Sequence, residues 1–143
     1  MNLSPHFTLA EFTVSDTAAR RGIANDPPVE VYAALKRTAQ GLEAVRVRLG
    51  CAPMLITSGY RSIPLNRLLG SRDSSQHIKG EAADFIAPRF GTPSEVVAAL
   101  RDSGVEYDQL ILEFGRWVHV SFSDKPRHQA LQIDAGGVAP LFS

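Results

Sequence analysis

Apolar residues recur at intervals of three and four after Val29, which is the spacing of an amphipathic helix. The positions that carry this pattern are Tyr32, Leu35, Ala39, Leu42, Val45 and Leu49. Gly50 follows them, and glycine often ends a helix because it readily adopts a left-handed backbone conformation. The pattern predicts one long helix over residues 29–49, with one face turned to the core.

A second helix is predicted from its start signal. Thr92-Pro93-Ser94-Glu95 is a capping box with proline at the first helical position, and Gly104 can supply the C-terminal cap. We therefore expect a helix over residues 93–103. Its apolar face consists of Val96, Val97 and Leu100.

The first part of the chain has weaker signals. Residues 3–28 mix polar residues and proline around a few apolar anchors, which indicates an irregular arm packed on the domain. We expect one short helix in this arm, near residues 9–12 or 17–21. Residues 63–69 are expected to form a short helical turn, and residues 70–76 a polar loop.

Four short apolar runs have the character of strands. Residues 54–58, ended by Gly59, predict a buried strand, and a second strand begins at Asp84 and continues through residues 85–87. Residues 107–114 and 117–122 predict a β-hairpin. The fold class predicted is therefore α+β, with helices packed on one small, mostly antiparallel sheet.

Composition limits the possible partners. The 143 residues predict a single domain, with arm 1–28 packed on it, and the 44% of hydrophobic residues supports a core. Equal numbers of basic and acidic residues (15 each) do not favour nucleic acid. No apolar run approaches the roughly 20 residues that span a bilayer, so membrane insertion is not expected. Monomer is the default expectation.

Two further features concern the compartment. The single Cys51 excludes an internal disulfide. The first residues have neither the basic region nor the apolar run of a signal peptide, so we expect synthesis in the cytoplasm without Sec export.

Two histidines and one aspartate are the candidate chemistry. The period of two in strand 117–122 places His119 on one face with Trp117 and Ser121, opposite Val118 and Val120. Either histidine taken singly is more often an ordinary polar side chain than a ligand. Small residues before Asp84, however, allow the backbone near His77 to approach closely. Two imidazoles and a carboxylate are a ligand set of hydrolytic zinc sites that keep one position open for water.

These residues carry a family resemblance. Ser75-x-His77-x-x-Gly80-x-Ala82-x-Asp84 with the later Trp117-x-His119 resembles the M15 zinc peptidases, the D-alanyl-D-alanine carboxypeptidase and dipeptidase group that cleaves peptidoglycan stem peptides. Ser58-Gly59-Tyr60-Arg61-Ser62, residues 107–114 and the arm at residues 6–12 resemble short members found in phage and prophage genomes. The resemblance implies a hedgehog/DD-peptidase-like fold and Zn²⁺ bound by His77, Asp84 and His119.

Glu113 is the candidate general base. A three-residue loop, 114–116, would pair Glu113 with Trp117 and place it on the metal face, whereas a two-residue loop would turn it to the opposite face. Many family members carry the acidic base three residues before the second histidine, where this chain has Arg116. The alternative is that Glu113 is a solvated edge carboxylate.

Four residues are candidates for substrate binding. Arg61 follows a Gly-Tyr turn, and the resemblance implies that it anchors a substrate carboxylate; a surface salt bridge is the alternative. Ser75 is expected to bind substrate or to steady its loop. Gln109 shares the predicted face of Glu113, and Trp117 is either a pocket wall or a packed aromatic residue. His6 and His128 lie outside every motif and are interpreted as surface histidines.

Together these features predict a zinc metallopeptidase that cleaves the peptidoglycan peptide stem, as a D-Ala-D-Ala carboxypeptidase or an endolysin-type endopeptidase. Lacking a signal peptide, it would reach the wall after holin action, lysis or virion delivery. A non-catalytic zinc-containing wall-binding module of the same fold is an alternative. The presence of a candidate base, Glu113, argues against it, and the absence of an acid at Arg116 argues for it. A structural component of a phage particle is a second alternative, and the complete set of metal ligands argues against it.

Overall fold

The structure is a computed structural model that describes residues 1–141. Its helices are α1 (Leu9–Thr13), α2 (Asp16–Arg21), α3 (Tyr32–Arg48, preceded by a 3₁₀ turn at Val29–Val31), α4 (Ile63–Leu68) and α5 (Pro93–Arg101). Its strands are β1 (Asn2–Ser4), β2 (Phe7–Thr8), β3 (Leu55–Ser58), β4 (Ala82–Ile86), β5 (Gln109–Glu113), β6 (Trp117–Ser121), β7 (Gln129–Asp134) and β8 (Gly137–Pro140).

Six strands form the main sheet, in the order β3-β4-β6-β5-β7-β8. Every neighbouring pair is antiparallel except β5 and β7, which run parallel. β1 and β2 form a separate two-stranded sheet. The predicted α+β class with a mostly antiparallel sheet is confirmed. No helix within residues 1–141 has the length and apolar character needed to cross a membrane.

The core lies between one face of the sheet and the helices α3 and α5. From α3, Leu35, Leu42 and Val45 are completely buried, as the helical spacing predicts. Phe85 and Val118 meet them from the sheet. The hydrophobic contact between these layers fixes the position of β4 and β6, the two strands that carry the candidate ligands.

The two predicted long helices are present. α3 is followed by Gly50 with φ +65°, the left-handed conformation typical of a helix end. α5 begins at the predicted capping box, with the Glu95 amide donating to Thr92 Oγ1 over 3.2 Å. It ends at Arg101, two residues earlier than expected. The Ser103 hydroxyl donates to the Leu100 carbonyl and so occupies an acceptor at the helix end.

Other predictions require correction. β3 is not a buried strand but an edge strand, since among the described residues it pairs only with β4, and Leu55 is 60% exposed. The arm contains both short helices rather than one, because each has its own N-cap hydroxyl, from Thr8 and from Ser15. The strands β1 and β2, in the arm predicted to be irregular, and the strands β7 and β8 were not predicted at all.

Hydrogen bonds hold the N-terminal arm against the turn that follows β3. The Tyr60 amide donates to the Phe12 carbonyl over 2.6 Å. Asn25 donates to the Thr13 and Tyr60 carbonyls and accepts from the Ser62 amide. At Gly59 the two backbones are so close that a Cβ atom would lie 2.6 Å from the Phe12 oxygen. Only glycine fits this contact.

The substitution Gly59→Ala is therefore expected to destabilise the fold by about 1–3 kcal/mol, because the clash is with backbone rather than with a movable side chain. Urea unfolding followed by far-UV circular dichroism measures this loss. Gly136→Ala is the control, since its Cβ would meet only the exposed Asp134 carboxylate, at 3.1 Å. Equal stability of the two variants would contradict the close-contact explanation.

Candidate metal centre and active-site groove

Asp84 and His119 stand opposite each other on neighbouring strands. They are register partners in the antiparallel pair β4–β6, so their side chains leave the same face of the sheet. His119 Nδ1 lies 2.9 Å from Asp84 Oδ1. Both residues are buried, with 4% of Asp84 and 8% of His119 exposed. The sheet pairing therefore sets two of the three predicted ligands side by side.

His77 reaches the same point from the loop before β4. Its Nδ1 lies 2.7 Å from the Gly59 carbonyl oxygen. Because a carbonyl oxygen can only accept, Nδ1 carries a proton, and Nε2 is the ring nitrogen that is left to bind a metal. That Nε2 atom lies 3.4 Å from Asp84 Oδ1. The hydrogen bond thus selects the tautomer that a metal ligand requires.

Two further hydrogen bonds hold this loop in place. The Arg61 amide donates to the His77 carbonyl over 3.1 Å, so the loop is bound on both sides to the turn after β3. The buried hydroxyl of Thr38, on α3, donates to the Gly80 carbonyl over 2.7 Å. Gly80 itself has φ +73° and little space for a side chain. The position of His77 therefore depends on α3 as well as on the sheet.

The three side chains fit a metal ion. One ligand atom from each of His77, Asp84 and His119 can be chosen so that all three lie within 4.8 Å of one another. Asp84 Oδ1 lies 3.4 Å from His77 Nε2 and 2.9 Å from His119 Nδ1. A tetrahedral zinc site with bonds near 2 Å has ligand atoms about 3.3 Å apart, which is close to both distances. Imidazole nitrogen and carboxylate oxygen are suitable zinc donors.

The charge of Asp84 is stabilised in the buried site. Burial by itself would raise the pKa of this carboxyl group. Hydrogen bonds and charge interactions with His119 and His77 outweigh burial and hold the pKa of Asp84 well below its ordinary value. Arg61 Nη2, 3.7 Å from Asp84 Oδ2, adds a further positive charge nearby. The cluster therefore offers an ionised carboxylate to a cation.

Glu113 lies on the same face as the cluster. The loop of the β5–β6 hairpin has three residues, and Glu113 pairs with Trp117 while Ile111 pairs with His119. Of the two registers considered, this is the one that places Glu113 on the metal face. Phe114 and Gly115, at φ +54° and +65°, form the turn. Local turn geometry therefore decides which face Glu113 occupies.

The Glu113 carboxylate is oriented by its neighbours. Trp117 Nε1 donates to Oε2 over 2.9 Å, and Oε1 lies 3.6 Å from His119 Nδ1. The side chain is 20% exposed, so the alternative of a solvated edge carboxylate does not apply. Burial, followed by the charge of Asp84, raises the pKa of Glu113. A carboxylate with a raised pKa is a stronger proton acceptor than an ordinary one.

Arg61 is a partly buried neighbour of the cluster rather than a surface residue. Its side chain is 16% exposed. Nε donates to Ser58 Oγ over 3.2 Å, and Nη1 donates to Asn66 Oδ1 over 3.4 Å. These contacts hold the guanidinium beside Asp84.

The other candidates line or support an open groove of about 760 Å³ next to Glu113 and His119. Ser75 lies in its wall, and its hydroxyl accepts from the His77 amide over 3.2 Å, which steadies the loop. Gln109 is also in the wall and donates to Gln129 Oε1 over 3.0 Å. Trp117 serves to orient Glu113 and is not among the residues that line this groove.

The remaining histidines lie elsewhere. His6 is half-exposed and bonded to Glu43. His128 stacks on Tyr107 with ring centroids 4.3 Å apart. Arg116, at the position where many family members carry an acid, lines two other depressions rather than this groove.

The ion pair between Arg127 and Asp108 at the groove was not predicted from the sequence. Arg127, just before β7, pairs with the buried Asp108, which also accepts from Gln76 next to His77. Arg127 lies in no recognisable motif, and the motif at residues 107–114 that contains Asp108 does not indicate its partner. The alternation of Leu131 and Ile133 with two polar residues was the available signal for β7, and it is weak because it spans only four positions.

Comparison with known families decides the classification. Residues 5–121 match the profile described as Peptidase M15. The chain belongs to the peptidase M15 family. The family resemblance predicted from the sequence is therefore confirmed, and the matched region contains all four central site residues: His77, Asp84, Glu113 and His119. The match ends at the last residue of β6, so β7 and β8 lie beyond it. No curated protein matches the chain.

The substitution Asp84→Asn is expected to weaken zinc binding by roughly a hundredfold or more, because it removes the anionic ligand between the two imidazoles. Wild-type protein should bind one zinc ion per chain in competition with a chromophoric chelator. Asp73→Asn is the control, since that exposed carboxylate pairs with Arg67 away from the cluster. Unchanged zinc affinity in Asp84→Asn would exclude this cluster as the metal site.

Proposed function

We propose that this M15 family member is a zinc-dependent peptidase that hydrolyses the peptide stem of bacterial peptidoglycan. The observation that carries the proposal is the position of Glu113. Its Oε1 lies 3.6 Å from His119 Nδ1, beside a three-ligand cluster that opens into a groove. Three protein ligands and a neighbouring carboxylate are the parts that hydrolysis of a peptide bond by activated water requires.

Zinc bound by His77, Asp84 and His119 would lower the pKa of a water molecule and polarise the scissile carbonyl group. Glu113 Oε1 accepts the proton of the attacking water and later delivers it to the leaving nitrogen. The raised pKa of Glu113 suits both roles, because a base of very low pKa is a poor proton acceptor. Trp117 keeps Oε2 occupied and so directs Oε1 toward the cluster.

Arg61, Ser75 and Gln109 are proposed to bind the substrate. The Arg61 guanidinium is held beside the cluster and suits a substrate carboxylate next to the scissile bond. Ser75 and Gln109 offer polar groups along the groove wall. Trp117, proposed from the sequence as a substrate contact, supports the substrate site through Glu113.

The scissile bond is either a terminal D-alanine bond or an internal bond of the stem such as L-Ala to D-Glu. We propose that the protein acts as a monomer at the cell wall, after holin action, lysis or virion delivery. The non-catalytic wall-binding module remains the competing function, which the placement of Glu113 disfavours.

The substitution Glu113→Gln keeps the size of the side chain but removes the proton acceptor. Hydrolysis is expected to fall by roughly 10²–10⁴-fold, with one zinc still bound per chain. The measurement is release of peptides from purified peptidoglycan and of D-alanine from a stem pentapeptide ending in D-Ala-D-Ala, followed by chromatography. The products also distinguish a carboxypeptidase from an endopeptidase.

Glu95→Gln is the matched control, because Glu95 caps α5 and does not line the groove. It should retain wild-type activity. Zinc-loaded wild-type protein that binds peptidoglycan but releases nothing would leave the binding module as the function. Equal activity of Glu113→Gln and wild type would exclude Glu113 as the base.

A further inference from the structure

The groove has a charge pattern that the proposed hydrolysis does not use. One wall is formed by residues 71–79, and the other by β5 and the chain that leads into and through β7. Apart from Glu113 and His119, the titratable residues described in its lining are all basic: Arg72, Lys79 and Arg127. Such a lining favours an anionic ligand.

Arg127 is the basic residue whose geometry is fixed. Its Nε lies 2.9 Å from Asp108 Oδ1 and its Nη2 lies 2.7 Å from Asp108 Oδ2. The Arg127 amide also donates to Asp108 Oδ1, over 2.8 Å. Asp108 is 2% exposed, and the hydrogen bonds from Arg127 hold its pKa well below the ordinary value. This buried carboxylate immobilises the guanidinium before any ligand arrives.

The pairing with Asp108 uses only one edge of the guanidinium. Nε and Nη2 form that edge, so the end formed by Nη1 and Nη2 is directed away from Asp108. The Arg127 side chain is 50% exposed and lines the groove. The free end can donate two parallel hydrogen bonds to a second carboxylate. Because the side chain is already fixed, little conformational entropy is lost on binding.

The strand spacing of the sheet gives the approximate distance between the metal-ligand cluster and Asp108, to which the Arg127 guanidinium is bound. Asp108 precedes β5, and Ile111, three residues later, is the register partner of His119. Three residues of a strand span about 10 Å. A bound peptide in extended conformation covers that distance with about three residues. Arg61 lies at the cluster itself, so Arg127 marks a second, more distant position along the groove.

We propose that Arg127 forms a subsite for a second substrate carboxylate, about three residues from the scissile bond. This inference rests on the proposed peptidase function and specifies its substrate as an anionic peptide. Arg127, which supplies the free guanidinium end, lies beyond residue 121, where the family match ends. It is therefore a feature of this chain that membership of the family does not imply.

The test is a binding measurement that does not depend on turnover. Two N-acetylated stem pentapeptides are compared, L-Ala-γ-D-Glu-L-Lys-D-Ala-D-Ala and the same peptide with the D-Glu α-carboxylate converted to a carboxamide. Each is titrated by calorimetry into zinc-loaded Glu113→Gln protein, with or without a change at Arg127. The two peptides share the terminal carboxylate, so any contribution of Arg61 cancels in the comparison.

Arg127→Gln is expected to lower the affinity for the free-carboxylate peptide roughly ten- to hundredfold and to leave the affinity for the carboxamide peptide unchanged. Arg127→Lys keeps a cation for Asp108 and guards against loss of folding, but lacks the two-pronged end and should show the same selective loss. Arg67→Gln is the matched control. Arg67 pairs with Asp73 through the same Nε and Nη2 edge, at 3.0 and 2.6 Å, outside the groove.

If the Arg127 variants lose affinity for both peptides equally and also unfold at a lower temperature, Arg127 is only a structural support and the subsite is overturned. The absence of any preference for the free carboxylate in the parent protein would also overturn it. If the preference and its loss are observed while wild-type protein hydrolyses neither peptide, the subsite stands and the proposed peptidase function fails. The two conclusions are thus separated by one set of proteins.

Discussion

The pairing of Asp84 with His119 across two strands of the sheet is the contact on which the rest of the site depends. An ionised carboxylate with 4% exposure is costly unless hydrogen bonds replace its water. Here His119 and His77 provide that replacement, and a cation would complete it. The residues around the pair serve to keep these three side chains in contact. Gly59 orients His77 through its carbonyl group, and Thr38 of α3 holds the end of the loop.

The hydrophobic core and the site occupy opposite faces of the same strands. Val118 and Val120 pack inward from β6, while His119 between them points to the groove. Loss of packing on one face would therefore displace the ligands on the other. The same hairpin places Glu113 beside His119, so the proposed proton acceptor and one candidate ligand are held by a single pair of strands. A catalytic site with this geometry would benefit from rigid elements rather than free loops.

The C-terminal strands extend the sheet beyond the family match. β7 pairs in parallel with β5, and the chain that leads to it carries Arg127 to the buried Asp108. Asp108 also accepts from Gln76, the residue before His77. The C-terminal segment is thus connected to the ligand loop through one carboxylate, and it forms part of the groove wall.

The sequence by itself determined the features that depend on neighbouring residues. The spacing of Leu35, Leu42 and Val45 is sufficient for α3, and the capping box at Thr92 for the start of α5, because helices are specified by contacts within a few residues. The period of two placed His119 on the polar face of its strand, and the motif around His77 and Asp84 indicated the candidate ligands. Tertiary structure decided what depends on distant partners. β3 became an edge strand because, among the described residues, no strand pairs with the side of β3 that faces away from β4. The hairpin register put Glu113 on the metal face, and the parallel pairing of β7 brought Arg127 to Asp108 across 19 positions of the chain. Such long-range pairings leave no local period in the sequence, because their stability comes from contacts formed only when the chain has folded.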